Sequence, residues 1–223
     1  MTNHLLPYTS FSNHAPDICI NFHTRQDFQN AESALYKLRT TRSGTLLLNR
    51  IRNVSTDEKK LMIRVNDNVK TGHMGFLTAS QIDKFKMPTN TSDPDHKAAV
   101  RMFSHKKFDG TNGDGTNVVV SYNPRQSIGI DVDGFPVNMN DGRHPEAMLA
   151  HELVHAFHLM NGTSLATHKN DVWFYGKGQR MEEERATGLG EYRLEPFSEN
   201  SVRAELGLPL RASYFYRNLP AIT

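Results

Sequence analysis

The chain is nearly devoid of cysteine. Cys19 is the single thiol in 223 residues, so no internal disulfide can form, and nothing in the sequence calls for an oxidising compartment. A structural zinc closed by several cysteines is excluded on the same ground. No apolar run approaches the ~18–20 residues of a membrane-crossing helix. The first residues, Met1 to His14, lack the basic and apolar stretches of a secretory signal. Charge of one sign is lacking too. Lys and Arg number 26 against 24 for Asp and Glu, a formal charge of +2 with 11 histidines set neutral. That balance offers no electrostatic footprint for nucleic acid or a membrane surface, so neither is expected as a partner. Separately, a monomer is expected. Hydrophobic content of 37% and a length of 223 residues fit one good core.

What is present centres on Pro145–Gly162, with His151-Glu152-Leu153-Val154-His155 at its middle. Two histidines four apart project from one face of a helix, one turn from each other. Their imidazoles can meet one tetrahedral Zn²⁺ at roughly 2.0–2.1 Å. Glu152 follows the first histidine and is placed to take a proton from a water that the ion activates. Pro145 suits a first helical position, and Asn161-Gly162 supplies a stop. The remaining residues are apolar nearly all round, the mark of a buried helix. A polar His-Glu-His set there is costly unless an ion compensates it. His158 shares the face, but seven residues of helix rise roughly 10.5 Å, too far from His151 for both to bind one ion. A packed or hydrogen-bonded histidine is the expected role.

Elsewhere the pattern is uneven. Residues 1–22 are polar and aperiodic and read as a flexible segment. Thr24 and Asp27 form a capping box ahead of a helix that Ser43-Gly44 should end, with a second short helix over 45–51. Leu61–Val65 reads as a strand, and residues 71–117 give little signal apart from a short helix over 96–105. Asp109–Asn117 is rich in Gly and Asx, and reads as a surface turn because its spacing does not match an EF-hand. Val118–Tyr122 is the clearest strand, with Ser127–Val132 its expected partner. An edge strand of this kind beside the zinc helix can pair with an extended peptide. The aromatic cluster Trp173-Phe174-Tyr175 lies in a polar loop, as a lid or as a simple anchor.

A catalytic zinc takes three protein ligands and keeps one position open. Glu182, Glu183 and Glu184 lie about 30 residues beyond the motif and point in three directions about 100° apart. Glu183 is chosen because Ala186 and Thr187 share its face and allow close approach; Glu184 is second. His168, Asp171, Asp131 and Asp133 are fallbacks. Tyr214, Tyr216 and Arg211 are candidates to stabilise the developing oxyanion, with Tyr214 preferred.

Three runs together carry a family resemblance: residues 143–158 around the zinc helix, Glu182-Glu-Glu-Arg-Ala-Thr-Gly-Leu189, and Glu199-Asn-Ser-Val-Arg-Ala-Glu-Leu-Gly-Leu-Pro-Leu-Arg211. The chain resembles the NleD-type zinc metalloprotease effectors over about residues 110–217. The resemblance implies a type III secreted, gluzincin-like endopeptidase that acts in the host cytoplasm without a cleaved signal peptide. It implies a host protein substrate, a stress-activated MAP kinase cut in its activation loop. On this reading His151, His155 and Glu183 hold one Zn²⁺, and Glu152 is the base. The expected fold is α+β: a minimal zincin-like metalloprotease in which the active-site helix packs beside a small mixed or antiparallel sheet, with a helical N-terminal part. The expected division is a segment 1–22, a possible carrier of the secretion signal, and a single domain 23–223. The alternatives are a peptidase-like antibacterial toxin domain and a non-catalytic, zinc-stabilised host-binding module.

Overall fold

The computed structural model describes residues 7–139, 141–166 and 175–217. In chain order its elements are β1 (Tyr8–Phe11), β2 (Ile18–Phe22), α1 (Arg25–Arg39), α2 (Arg42–Val54), β3 (Leu61–Val65), β4 (Gly72–Phe76), α3 (Ala79–Phe85), α4 (Pro94–Ser104) and β5 (Asn117–Tyr122). There follow β6 (Ser127–Ile130), β7 (Pro136–Met139), α5 (Pro145–Met160), α6 (Tyr175–Thr187), a 3-10 turn at Gly190–Leu194 and α7 (Glu199–Glu205). The fold is α+β, as expected. A mixed sheet of order β1-β2-β3-β5-β4 forms one layer, with β2, β3 and β5 parallel and the two outer strands antiparallel to their neighbours.

The central strands alternate in burial. Ile18 and Ile20, Leu61, Ile63 and Val65, and Val118, Val120 and Tyr122 all turn into the core. Period-two alternation of this kind gives each strand one apolar face, and that face fixes the register. The core they form also takes Ala31, Leu35 and Leu38 of α1, Leu47 and Ile51 of α2, and Leu149, Leu153 and Ala156 of α5. The zinc-motif helix is therefore held by the sheet on one side and by the N-terminal helices on the other.

Within the flexible segment expected over 1–22, the described residues, from 7 onward, are ordered into strands. Residues 8–22 supply two strands, and β2 sits inside the sheet, paired in parallel with β3 from Ile18↔Leu61 onward. Only two apolar residues, Ile18 and Ile20, carry the buried face of β2, and so short a signal is lost among polar neighbours. Thr24 does cap α1, its side chain accepting from the Asp27 amide while Asp27 accepts from Thr24. The helix ends earlier than Ser43-Gly44, however, and those two residues open α2, whose cap is Thr41. Gly44 is there for proximity. A Cβ on it would run into the Leu38 carbonyl oxygen at the tight α1–α2 junction.

Two further corrections concern the sheet. β5 is interior, and the free edge on its far side is β4, whose Gly-His-Met-Gly-Phe sequence lacks the β-branched residues that mark a strand. β6 does not pair with β5. The chain turns at Asn123–Gln126, where the Asn123 side chain accepts from Arg125 N, and β6 joins β7 in a separate hairpin. Its place beside β5 is taken by β4, with His73 opposite Val120.

α5 begins at His144, which has a left-handed backbone at φ 55°, with Pro145 in the first turn. It ends at Asn161 and Gly162, the latter at φ +66° and in close contact with the Gly113 backbone. That contact ties the Asp109–Asn117 turn to the end of the zinc-motif helix, with Gly113 N donating to the Gly162 carbonyl at 3.0 Å.

Candidate metal centre

α5 presents His151 and His155 one turn apart, and α6 packs across them. The Nε2 atoms of the two histidines are 3.0 Å apart. Glu183 Oε2 lies 3.1 Å from the first and 3.0 Å from the second. Two imidazole nitrogens and a carboxylate oxygen thus converge on one point. Four donors about 2.0–2.1 Å from a zinc ion are separated by edges of about 3.3 Å, so the three atoms nearly match one face of that tetrahedron. Among the described residues this is the one group of three or more His, Cys, Asp or Glu side chains that meets in this way.

The far nitrogens of both imidazoles also fit a metal. His155 Nδ1 faces Glu182 Oε1 at 3.2 Å. His151 Nδ1 lies 3.1 Å from Glu199 Oε2, at ion-pair distance though not in hydrogen-bond alignment. A carboxylate at Nδ1 keeps the proton on that side and leaves the Nε2 lone pair for an ion. Glu199 is itself held by two buried cations, Arg203 Nε at 2.7 Å and Arg211 Nη1 at 2.8 Å. Glu182 also takes His158 Nδ1 at 2.6 Å and the Leu165 amide at 2.9 Å. His158 therefore stands behind the centre, bound to a carboxylate that orients His155.

The three consecutive glutamates separate as their 100° spacing requires. Glu183 meets the histidines, Glu182 turns to their rear, and Glu184 pairs with Arg180 at the surface, 2.8 Å away. Ala186 and Thr187 are fully buried where α6 approaches α5. Glu152 Oε2 is 2.7 Å from His73 Nδ1 of β4, and the His73 ring stacks on His155 with centroids 4.4 Å apart. The Tyr214 ring stacks on His151, with centroids 6.1 Å apart. The other oxyanion candidates are engaged elsewhere. Arg211 is buried against Glu199, and donates to the Tyr214 carbonyl at 2.6 Å; Tyr216 donates to Asn138 on β7. Asp131 and Asp133 pair with Arg217, away from the centre. His168, Asp171 and the side chains of Trp173, Phe174 and Tyr175 lie outside the described residues.

The charges couple strongly. Burial pushes the His151 and His155 pKa values down, but the carboxylates of Glu182, Glu183 and Glu199 outweigh it and raise both. Burial likewise pushes Glu183 and Glu199 up, and the imidazoles, with Arg211 and Arg203 for Glu199, hold them well below the ordinary carboxylate range. Burial raises the Tyr214 hydroxyl, with the Glu183 charge adding to it, so it stays a proton donor. Without an ion, then, both imidazoles hold a proton more readily than a free imidazole does. Zinc added to the metal-free protein at pH 7 should therefore release protons. Because those protons favour the metal-free form, affinity should fall as pH falls. Calorimetry in two buffers of different ionisation enthalpy measures the release; none at all would mean that the imidazoles are already neutral.

Sequence reasoning missed Glu199 and His73. Glu199 and Arg203 do sit at i,i+4 in a helix capped by Ser198, a visible pair signal, but nothing local aims them at His151. His73 lies on a strand that the sequence does not announce.

The arrangement defines a candidate metallohydrolase centre, in which a helix supplies two imidazoles and an adjacent carboxylate and a second helix supplies a third donor. Residues 17–214 match the family Peptidase_M91, described as "Effector protein", and the chain belongs to that family of peptidase effectors. No curated protein sequence matches the chain. Solved structures with similarity include the light chain of botulinum neurotoxin serotype HA, at 14% identity and TM-score 0.40, covering 61% of this chain and 35% of that one. The catalytic domain of Clostridium botulinum neurotoxin serotype F matches at 10% identity and TM-score 0.49, covering 90% and 79%. A second structure, of the serotype F light chain, matches at 12% identity and TM-score 0.46, covering 97% and 75%.

Proposed function

We propose that the protein is a zinc-dependent endopeptidase of the NleD type, delivered into a host cell, where it cuts a host signalling protein. The observation that carries this reading is the convergence of His151 Nε2, His155 Nε2 and Glu183 Oε2, with Glu152 beside them. A zinc ion held by those three atoms would supply Lewis acidity and lower the pKa of water at its open position. Glu152 takes the proton of the attacking water and passes it to the leaving amine. Tyr214, protonated and stacked on His151, donates to the oxyanion as it develops. The free edge of β4 runs beside α5 and offers unpaired backbone groups to an extended peptide, which strand addition would align with the centre. Three donors with an open position favour catalysis over a closed structural site. By resemblance, the substrate is a stress-activated MAP kinase cut in its activation loop.

The test is metal content, with Glu183→Ala and Glu184→Ala measured beside the wild type. One zinc per chain is expected in the wild type and in Glu184→Ala, and little or none in Glu183→Ala after dialysis. Equal zinc in both variants would remove Glu183 from the ligand set. No zinc in the wild type after reconstitution would end the metallopeptidase reading. Mass spectrometry of purified stress-activated MAP kinases after incubation then tests the substrate, with a new terminus inside the activation loop as the expected product.

A further inference from the structure

β4 brings more than backbone to the centre. Its second residue, His73, lies opposite Val120 of β5. The same face of the strand carries Gly75, where an added Cβ would approach Val100 and Leu159, so this face turns toward α4 and α5. His73 Nδ1 is 2.7 Å from Glu152 Oε2, and its ring lies nearly parallel to His155 at 4.4 Å. The His73 side chain is 28% exposed, against 11% for Glu152. It therefore stands at the rim, between the buried glutamate and the cleft.

We propose that His73 is a positioning residue for Glu152. An ionised carboxylate only accepts hydrogen bonds, so the proton on this contact must sit on His73 Nδ1. One oxygen of Glu152 is thereby tethered to β4, and the carboxylate cannot rotate freely about its last torsion, which is otherwise broad and roughly two-fold. The other oxygen is left for the attacking water. Among the groups described at the centre, no other donor reaches Glu152. The stacked ring adds a second constraint, because it sits on His155 and sets the distance between the edge strand and the helix. A peptide added to β4 would then meet a base already aligned by that same strand.

This inference rests on the peptidase reading, and its test separates the two. The full chain is used throughout. His73→Phe keeps a ring on His155 and removes the donor. His73→Asn removes the ring and restores a donor near the Nδ1 position. The assay substrate is a peptide spanning the cleavage site mapped for the wild-type protein. His73→Phe should bind one zinc and lose roughly 10- to 100-fold in kcat with KM within about twofold, the signature of a lost hydrogen bond to a charged group that acts in the transition state. His73→Asn should recover to within about fivefold of wild type. The contact is also read without activity, from the imidazole ¹H–¹⁵N resonances of the metal-free protein. A slowly exchanging Nδ1–H of His73 should be present in the wild type and lost in Glu152→Ala. Failure of the peptidase reading would appear in zinc content and wild-type cleavage, while the resonance would still decide the contact. The proposal is overturned if His73→Phe is as active as wild type, if Asn is worse than Phe, or if the His73 resonance is indifferent to Glu152→Ala.

Discussion

Glu152→Gln should keep its full complement of zinc and lose about 10³-fold or more in peptide cleavage. The substitution preserves size and a hydrogen-bonding oxygen, so His73 and the neighbouring helix turn keep their contacts. It removes the one acidic group at the centre, among the described residues, that is free to accept a proton. Glu183 is committed to the two histidines, and Glu182 and Glu199 lie behind them. Burial pushes the Glu152 carboxyl up, but the hydrogen bond from His73 and the charges of His73, His151 and His155 outweigh it and hold Glu152 below the usual range. It is thus ionised and ready as a base at neutral pH. Terminal-amine labelling of a host-cell lysate, compared between wild type and variant, reads the effect directly. Retained cleavage by a zinc-loaded Glu152→Gln protein would sink the assignment of Glu152 as the base. Glu152→Ala is the poorer test, because it also opens space in a packed helix.

The second large effect falls on stability. Glu199 is fully buried, and so nearly are Arg203 and Arg211, which it pairs at 2.7 and 2.8 Å. Glu199→Ala leaves two guanidinium groups in the interior with one carboxylate fewer between them. Breaking a buried pair in this way costs about 3–5 kcal/mol, because the remaining charge keeps its desolvation penalty. In a chain of this size about 1 kcal/mol corresponds to roughly 2–4 °C in Tm, so a fall of about 6–20 °C is expected. Arg203 also donates to the Ile128 carbonyl at 3.0 Å, and Arg211 to that of Tyr214, so the β6–β7 hairpin and the backbone at Tyr214 should loosen with it. Zinc affinity should drop as well, since His151 loses the carboxylate at its Nδ1. Glu199→Gln keeps the shape and should fall between Ala and wild type. Thermal unfolding of the metal-free proteins isolates the first effect from the second. A Tm within a degree or two of wild type would mean that the arginines find other partners.

Much of the centre is legible in the sequence. The histidines and Glu152 follow from a four-residue spacing on a helix, and that spacing is local chemistry. The preference for Glu183 over Glu184 and Glu182 rests on small residues one turn on, which govern how closely two helices approach. Thr24, Leu61–Val65 and the start of α5 at Pro145 are legible for the same reason: capping, alternation and proline act within a few residues. The sheet order is not legible. The place of β2 inside the sheet is not legible from so short a segment, because its parallel pairing with β3 depends on 38 residues of intervening helix and turn. β4 takes the edge beside α5, where Gly75 lets the strand approach Val100 of α4 and Leu159 of α5 closely. Residue spacing thus set two imidazoles on one face of α5 and narrowed the third donor to a run of glutamates on α6, from which the packing of the helices brings Glu183 to them. Only the tertiary structure decided which groups from elsewhere would stand behind and beside them. His73, Glu199 and Arg211 reach the centre from distant segments, and long-range packing, unlike helix geometry, leaves no period in the chain.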